Sequence, residues 1–302
     1  MKELLLIDGN NLAMRLFLSN AVQTSPGILI RNYDLWKYLM FTNIVGNANA
    51  HTKQIVFAID GDNGSWRKIA FHPYKANRTA KREADDFDWS EFFEVYKKLM
   101  DDMASYLPIK VIKINRIEGD DIIGAIALNE NGYDQIRILS ADSDMKQLIR
   151  TNIHVYDPMK GEYMSIDNVE NWLVEQCLLG QKKDNIYNIL TPDNWGDTGD
   201  TVNKRKPGFG PVAAEKVMSG DVFAWLKEKG LEKHYSRNRL LIDLSKIPQA
   251  IVDMILTDYA VPCSDYDPSK VNFFLEELNE WPSFKYNSED AQKAHAVLAN
   301  LN

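Results

Sequence analysis

Short apolar runs recur along the first half of the chain: Leu4 to Ile7 and Ile55 to Ile59 are continuous, and Val111 to Ile114, Ile136 to Leu139 and Ile153 to Tyr156 each predict a further strand. Runs that do not alternate with polar residues are the form taken by strands buried on both faces. Between them the apolar positions change to helical spacing. Leu12, Leu16 and Phe17 follow the turn Gly9-Asn10-Asn11, a second helix is predicted over Tyr33 to Gly46, and Ile122 to Leu128 predicts another. Phe92, Phe93, Tyr96, Leu99, Met100 and Met103 mark one more helix before Pro108, and their spacing makes them a core face. Strand and helix alternate, which predicts a doubly wound, mostly parallel α/β sheet.

The remainder has a different texture. From Asp62 to Asp88 the chain is basic and poor in aliphatics, with W-R-K at 66, Y-K-A-N-R at 74 and K-R-E at 81, and reads as an exposed segment. Asp167-Asn168-Val169-Glu170 resembles a capping box that opens a helix through Leu178. A polar tract follows, then P-G-F-G-P-V-A-A-E-K-V-M from Pro207 to Met218, then a mostly helical part marked by Trp225, Leu240, Leu241, Ile251 and Ile255. The expected division is an α/β core over 1–183, with the basic segment 62–88 inside it, and a helical C-terminal domain over 184–302.

Chemistry enters where the strands end. Asp8 and Asp60 close the first two runs, each followed by glycine; Glu118, Asp120 and Asp121 follow the third, and Asp142 and Asp144 the fourth. In a parallel sheet these ends share one edge, where such folds place ligands. That many anions share an edge only with cations or shifted pKa values to hold them. No histidine or cysteine accompanies them, and an all-oxygen set suits magnesium or manganese, not zinc. Enough carboxylates are present for two ions about 4 Å apart, the arrangement that activates water against a phosphodiester. A solvated acidic rim or a structural calcium site is the bland alternative, and neither needs a basic segment nearby.

Net charge taken alone argues against a polyanionic partner, since 35 basic residues face 43 acidic ones, a net −8. Asp8, Asp60, Glu118, Asp120, Asp121, Asp142, Asp144 and Asp184 are assigned to one pocket, which leaves the rest close to neutral. A local basic surface can then dominate contact with phosphate. Gly208 and Gly210 allow a tight turn with exposed backbone amides at a helix start, and Lys204, Arg205, Lys206 and Lys216 beside them suggest a grip on a duplex backbone. Cys177 and Cys263 fit neither a zinc spacing nor a disulfide framework, as in a reduced compartment. The apolar start M-K-E-L-L-L-I-D is too short for a signal or a membrane span, so a soluble cytoplasmic protein is expected.

Taken together, the motifs resemble those of the structure-specific 5′ nucleases, the flap endonucleases and phage 5′ to 3′ exonucleases, with the phage ribonuclease H enzymes among them. The matched stretches are L-L-L-I-D-G-N-N-L at 4 to 12, F-A-I-D-G at 57 to 61, Y-K-A-N-R at 74 to 78, I-E-G-D-D-I at 117 to 122, S-A-D-S-D at 140 to 144, K-K-D-N at 182 to 185 and G-F-G-P-V-A-A at 208 to 214, in the family's order. The resemblance implies a first magnesium held through Asp8, Asp60, Asp120 and Asp142, with Glu118 reaching it directly or through water. It implies a second near Asp144 and Asp184, with manganese able to substitute. Lys75 and Arg78 match the basic pair at the base of the family's helical arch that contacts the scissile phosphate, and Arg67 and Tyr74 belong to the same nucleic-acid-binding segment. The glycine turn matches a helix-hairpin-helix element, often with a potassium ion. The implied substrates are branched or nicked duplex DNA and RNA-DNA hybrids, with removal of RNA primers and adjacent DNA during phage DNA replication in the host cytoplasm. The implied enzyme is a monomer, partnered by a replication clamp or a single-strand-binding protein and not by a membrane.

Two departures matter. Where the family usually carries an aspartate ahead of D-N, this chain has Gln181, whose neutral oxygen still ligates magnesium but brings no charge, so a weaker second site is expected. An insertion separates Asp184 from Gly208, and Asp193, Asp197 and Asp200 within it are candidates for the missing carboxylate. The competing class is a DNA-binding protein of the same fold with weakened catalysis. An aspartyl phosphatase would want D-x-D after the first strand, which Asp8-Gly9-Asn10 does not supply.

Overall fold

The apolar run that opens the chain becomes β1 (Glu3–Asp8), a strand with every residue buried, and α1 (Gly9–Ser19) follows without a linker. The computed structural model describes residues 1–19, 21–25, 28–78, 89–195, 205–278 and 288–301. Residues 79–88 of the basic segment, Lys204, Asp197 and Asp200 lie outside the described residues. A hairpin of β2 (Ala21–Ser25) and β3 (Ile28–Arg31) comes next, which the apolar pattern does not announce. Asn32 then caps α2 (Tyr33–Asn47), its side-chain oxygen accepting from the Asp34 and Leu35 amides. The chain continues through β4 (Thr52–Ile59), the short α3 (Trp66–Ala70), α4 (Trp89–Tyr106), β5 (Lys110–Lys113), α5 (Gly119–Asn129), β6 (Gln135–Leu139), β7 (Ile153–Asp157) and β8 (Glu162–Tyr163).

The main sheet has the order β5-β4-β1-β6-β7-β8, and only β8 runs antiparallel. Leu6 pairs with Val56 on one side and Ile138 on the other, so β1 is central. From β1 the chain winds outward through β4 and β5, then returns past β1 to add β6 and β7. Strand order therefore reverses between β1 and β6, and right-handed crossovers put α1, α2 and α4 on one face and α5 on the other. The first layer is welded by aromatic rings: Phe17, Trp36 and Phe92 meet at centroid distances of 4.4–6.1 Å. Phe92, Tyr96, Leu99, Met100 and Met103 are buried, the core face their spacing predicts.

The expected boundary at 183/184 does not coincide with the division seen. The chain groups into two compact units, one of residues 1–62, 88–165 and 250–302, the other of 63–87 and 166–249. The tail returns to the sheet unit through α10 (Gln249–Ala260), α11 (Pro268–Leu278) and α12 (Ser288–Leu298), after α6 (Val169–Leu179), α7 (Pro211–Met218), α8 (Val222–Lys229) and α9 (Glu232–Ile242). Polar ties explain the return. Lys53 Nζ donates to Asn300 Oδ1 at 2.6 Å, and Lys110 Nζ donates to the Val261 carbonyl at 2.9 Å. The Tyr133 and Tyr259 hydroxyls both donate to Gln54 Oε1. None of these pairings is visible in a hydropathy pattern. In the other unit Phe71, Cys177, Ile189, Ala214, Leu226 and Leu241 share one buried core. Its α6 is capped by Asn168, which accepts from the Asn171 amide, one residue beyond the Asp167 the sequence suggests. Among the described residues no helix is long and apolar enough to cross a membrane.

The glycine after each of the first two aspartates has a spatial cause. A Cβ on Gly9 would stand 2.3 Å from a Phe57 ring carbon and 2.8 Å from the Ala58 oxygen; one on Gly61 would stand 1.8 Å from the Ile114 carbonyl oxygen. Gly61→Ala must push backbone apart and should cost about 2 to 3 kcal/mol, in the range of core overpacking. Gly46, inside α2, meets nothing within 4 Å, and Gly46→Ala should stabilise by roughly 0.5–1 kcal/mol through helix propensity. Urea midpoints of the two variants should move in opposite directions; a shared direction would contradict the packing at the Gly61 turn.

Candidate functional site

The order reversal between β1 and β6 brings Asp8 and the S-A-D-S-D turn to neighbouring strand ends. Asp8 is 4% exposed; its Oδ1 accepts from the Asn11 amide at 3.0 Å and its Oδ2 from the Ser140 hydroxyl at 2.7 Å. The same Ser140 oxygen accepts the Asp142 amide, and Asp142 in turn caps the 3-10 turn Ser143–Leu148 by accepting from the Asp144 amide. On the other side of β1, Asp60 Oδ1 accepts from the Gly119 amide at 2.9 Å, which ties the end of β4 to the start of α5. Glu118 stands at the N-cap of α5, and Asp121, fully buried, accepts from the Glu118 amide at 3.1 Å. Asp121, expected in the ligand set, is thus engaged as the helix's inner cap. Each of these acids sits where backbone amides point outward and helix dipoles favour negative charge.

Residues that sequence reasoning passed over complete this edge. Asn10 Oδ1 accepts from the Asp60 amide and, at 3.4 Å, from the Tyr96 hydroxyl, while Asn11 Oδ1 accepts from the Ala141 amide. The pair Asn10-Asn11 therefore bridges the ends of three strands. Its signal was present, since two asparagines after a strand-ending Asp-Gly are unusual choices for opening a helix.

Crowding has an electrostatic signature. Burial pushes the Asp8 carboxyl up to about 6, hydrogen bonds from Ser140 and the Asn11 amide oppose the rise, and the charges of Asp142 and Asp60 add to it. The Tyr96 phenol is raised for the same reasons, burial first and then Asp60 and Asp8. Among the described residues no three acidic, imidazole or thiol side chains form a ready ion cage. All-oxygen donors whose mutual repulsion a cation would relieve are nevertheless the donor set a hard divalent ion prefers.

The second predicted cluster lies in the other unit. Gln181 and Ile186 exchange backbone hydrogen bonds at 3.0 and 2.9 Å, closing a loop that presents Lys182, Lys183 and Asp184. The basic segment is locked to it: the Lys75 amide donates to the Asp184 carbonyl at 2.8 Å, Asn185 Nδ2 to the Pro73 carbonyl at 2.8 Å, and Arg78 Nη2 to Asp184 Oδ1 at 2.5 Å. Lys75 and Asn185 both have φ of +54°, left-handed backbone that non-glycine residues adopt at some cost. Asp193, one candidate replacement for the missing carboxylate, is instead paired with Arg237.

The nucleic-acid candidates divide. Arg67 is not on the surface: it is 2% exposed, donates through Nε to the Leu241 carbonyl at 2.9 Å and lies over the Trp66 ring. Tyr74 is also buried, in the core of that unit, with Lys75 Nζ 5.0 Å from its ring centre. Both were expected to face a ligand, and a sequence rich in arginine and aromatics does not say which of them anchor the segment. Arg205, Lys206, Gly208, Gly210 and Lys216 are exposed, with Lys206 Nζ over the Tyr187 ring at 3.9 Å. A Cβ at Gly208 or Gly210 would meet nothing within 4 Å, and neither has a positive φ.

Comparison with known proteins agrees with this architecture. The chain is 27% identical over 265 residues to the ribonuclease H of Enterobacteria phage T4, covering 84% of this chain and 85% of that protein. It is 26% identical to the flap endonuclease Xni of Colwellia psychrerythraea, covering 99% and 96%. Among solved structures it matches T5 5′-exonuclease, described with divalent metal ions (zinc) bound, at a TM-score of 0.63 and 18% identity over 85% of this chain and 98% of that one. The model of the 5′-3′ exonuclease N-terminal, resolvase-like domain matches residues 3–175, which contain the whole carboxylate edge, and the chain belongs to that family.

Proposed function

We propose that the chain hydrolyses phosphodiesters as a divalent-metal-dependent 5′ to 3′ exonuclease and flap endonuclease acting on branched or nicked duplex DNA and RNA-DNA hybrids. The observation that carries this reading is the crowding of acids at the sheet's switch point, with Asp8 pushed up to about 6. Asp8, Asp60, Glu118, Asp120 and Asp142 are the proposed holders of a first ion, and Asp184 with Gln181 contributes to a second. Bound there, magnesium or manganese would supply an activated water and charge stabilisation for the displaced oxygen. Ser140, Asn10 and Asn11 fix the acids so that little reorganisation accompanies reaction.

Lys75 and Arg78 are assigned to the scissile phosphate, where a fixed cation stabilises charge as it develops. The backbone lock between Lys75 and Asp184 supports this pairing of roles. Arg205, Lys206, Lys216 and the open Gly208 and Gly210 are assigned to the duplex backbone, with potassium at the turn and a helix-hairpin-helix arrangement as part of the proposal. The proposed setting is primer removal in phage replication by a cytoplasmic monomer served by a clamp or a single-strand-binding protein. Gln181 favours one other reading, a DNA-binding protein with weakened catalysis.

Incubation of 5′-labelled flap, nicked and hybrid duplexes with magnesium or with chelator separates the two. Metal-dependent release of 5′ products is expected; binding without release would favour the weakened protein. Asp142→Asn should lower cleavage by on the order of a hundredfold or more while duplex binding survives, because a charge that holds the ion is lost and the phosphate contacts are not. Near wild-type cleavage in that variant would remove Asp142 from the ligand set. Activity should rise over two separable magnesium ranges, and Gln181→Asp should move the weaker one to lower concentration, since ligand charge sets affinity for hard cations. A magnesium requirement that stays put or rises would reject the weak second site. Valine at Gly208 or Gly210 should weaken duplex binding and spare short single strands, because the space a Cβ would fill is vacant within the protein and needed for close approach of phosphate. Unchanged duplex affinity would leave the turn a corner between helices.

A further inference from the structure

Helix α9 carries an arginine that none of the chemistry above employs. The side chain of Arg237 is 8% exposed. Its Nη2 donates to the carbonyls of Tyr187 and Asn188 at 3.1 and 3.4 Å, and its Nη1 to the Thr191 carbonyl at 3.2 Å and to the Asp193 carboxylate. Nε donates to Asn238 Oδ1 at 2.9 Å, and Asn238 Nδ2 donates onward to the carbonyls of Cys177 and Tyr187 at 2.7 and 2.8 Å. The guanidinium also lies 5.1 Å from the Phe71 ring centre and 5.9 Å from that of Tyr187.

The carbonyls of 187–191 belong to irregular backbone and need donors that no strand or helix provides. One planar fork supplies most of them. Ile186 and Tyr187 form the limb that returns from Asp184, and Phe71 precedes Pro73, Tyr74 and Lys75, whose segment is bonded to the Asp184 loop. Phe71 and Tyr187 meet edge to face at 5.2 Å. A single side chain thus braces both flanks of the left-handed pair Lys75 and Asn185.

We propose that Arg237 is a positioning residue for the Asp184 loop and Lys75, setting the affinity of the second ion and the turnover rate without touching either ion or substrate. The proposal rests on the nuclease reading above. Lysine cannot take over, because a single flexible ammonium spans neither the spread of carbonyls nor the two ring faces.

The test is manganese binding to the full-length, DNA-free protein, read from the EPR signal of the free aquo ion, together with kcat and KM on a 5′ flap. In Arg237→Lys the tight manganese class should be unchanged, while the weak class loses about tenfold in affinity and kcat falls about tenfold with KM within twofold, as expected for loss of a support behind ligands. Both manganese classes and kcat within twofold of wild type would overturn the proposal, as would a lowered thermal midpoint with no change in metal binding. Should Arg237→Lys not fold, Asn238→Ser, which removes the amide that backs the same carbonyls, must weaken the same manganese class; a folded Asn238→Ser with that class unchanged also overturns it. Absence of manganese binding and of metal-dependent cleavage in the wild-type protein would instead overturn the nuclease reading itself.

Discussion

Like-charged carboxylates crowded at one edge of a buried sheet are the constraint around which the first unit is built. Asp8 is surrounded by protein and faces Asp142 and Asp60, so holding the three together requires donors. The donors are backbone amides at the starts of α1, α5 and the 3-10 turn, together with Ser140. A doubly wound sheet offers this arrangement because every parallel strand ends where a helix or turn begins. The same amides that steady the charge fix its position. Tight turns at Gly9 and Gly61 are the steric counterpart: a side chain at either would push the strand end away from its neighbour.

The second unit solves a different problem, that of keeping two left-handed residues in place. Lys75 adopts a left-handed conformation unfavourable for its type, Asn185 adopts the same conformation, which asparagine tolerates, and each is held by bonds to the other's segment. Strain of this kind persists only where the surroundings over-determine it. Here the over-determination comes from the Gln181–Ile186 closure, the Arg78–Asp184 pair and the carbonyl grip of Arg237. Distributed support of this sort concerns backbone carbonyls, which carry no residue identity.

That difference explains what could be read from the sequence. The strands, the helix alternation and the acids at the strand ends were legible because burial on both faces writes an unbroken apolar run into the first two strands and a mostly apolar one into the next, and because parallel strands end on one edge. Asp142, Asp60 and Glu118 stand where that reasoning puts them. Arg67 and Tyr74 show its limit: the same residue types serve equally as a surface grip or as internal anchors, and only the carbonyl of Leu241 and the core of the second unit distinguish them. The grouping into units is hard to read for a similar reason, since the ties from Lys53 to Asn300 and from Lys110 to Val261 join residues far apart in sequence through ordinary polar side chains. The acids at the strand ends lie within the residues that the family model covers, whereas the supports of the Asp184 loop come from α9, beyond them.

Gln181 is then intelligible in terms of charge balance. Asp184 is a buried carboxylate already matched by one guanidinium, Arg78, at 2.5 Å. Gln181 is buried as well, at the mouth of the same closed loop. An aspartate in its place would add a second buried anion beside the Arg78–Asp184 pair, and a buried charge without a partner is costly. A neutral amide adds no charge there, which is why the proposed second ion is expected to bind more weakly. The neutral amide thus leaves the Arg78–Asp184 pair undisturbed by a second carboxylate.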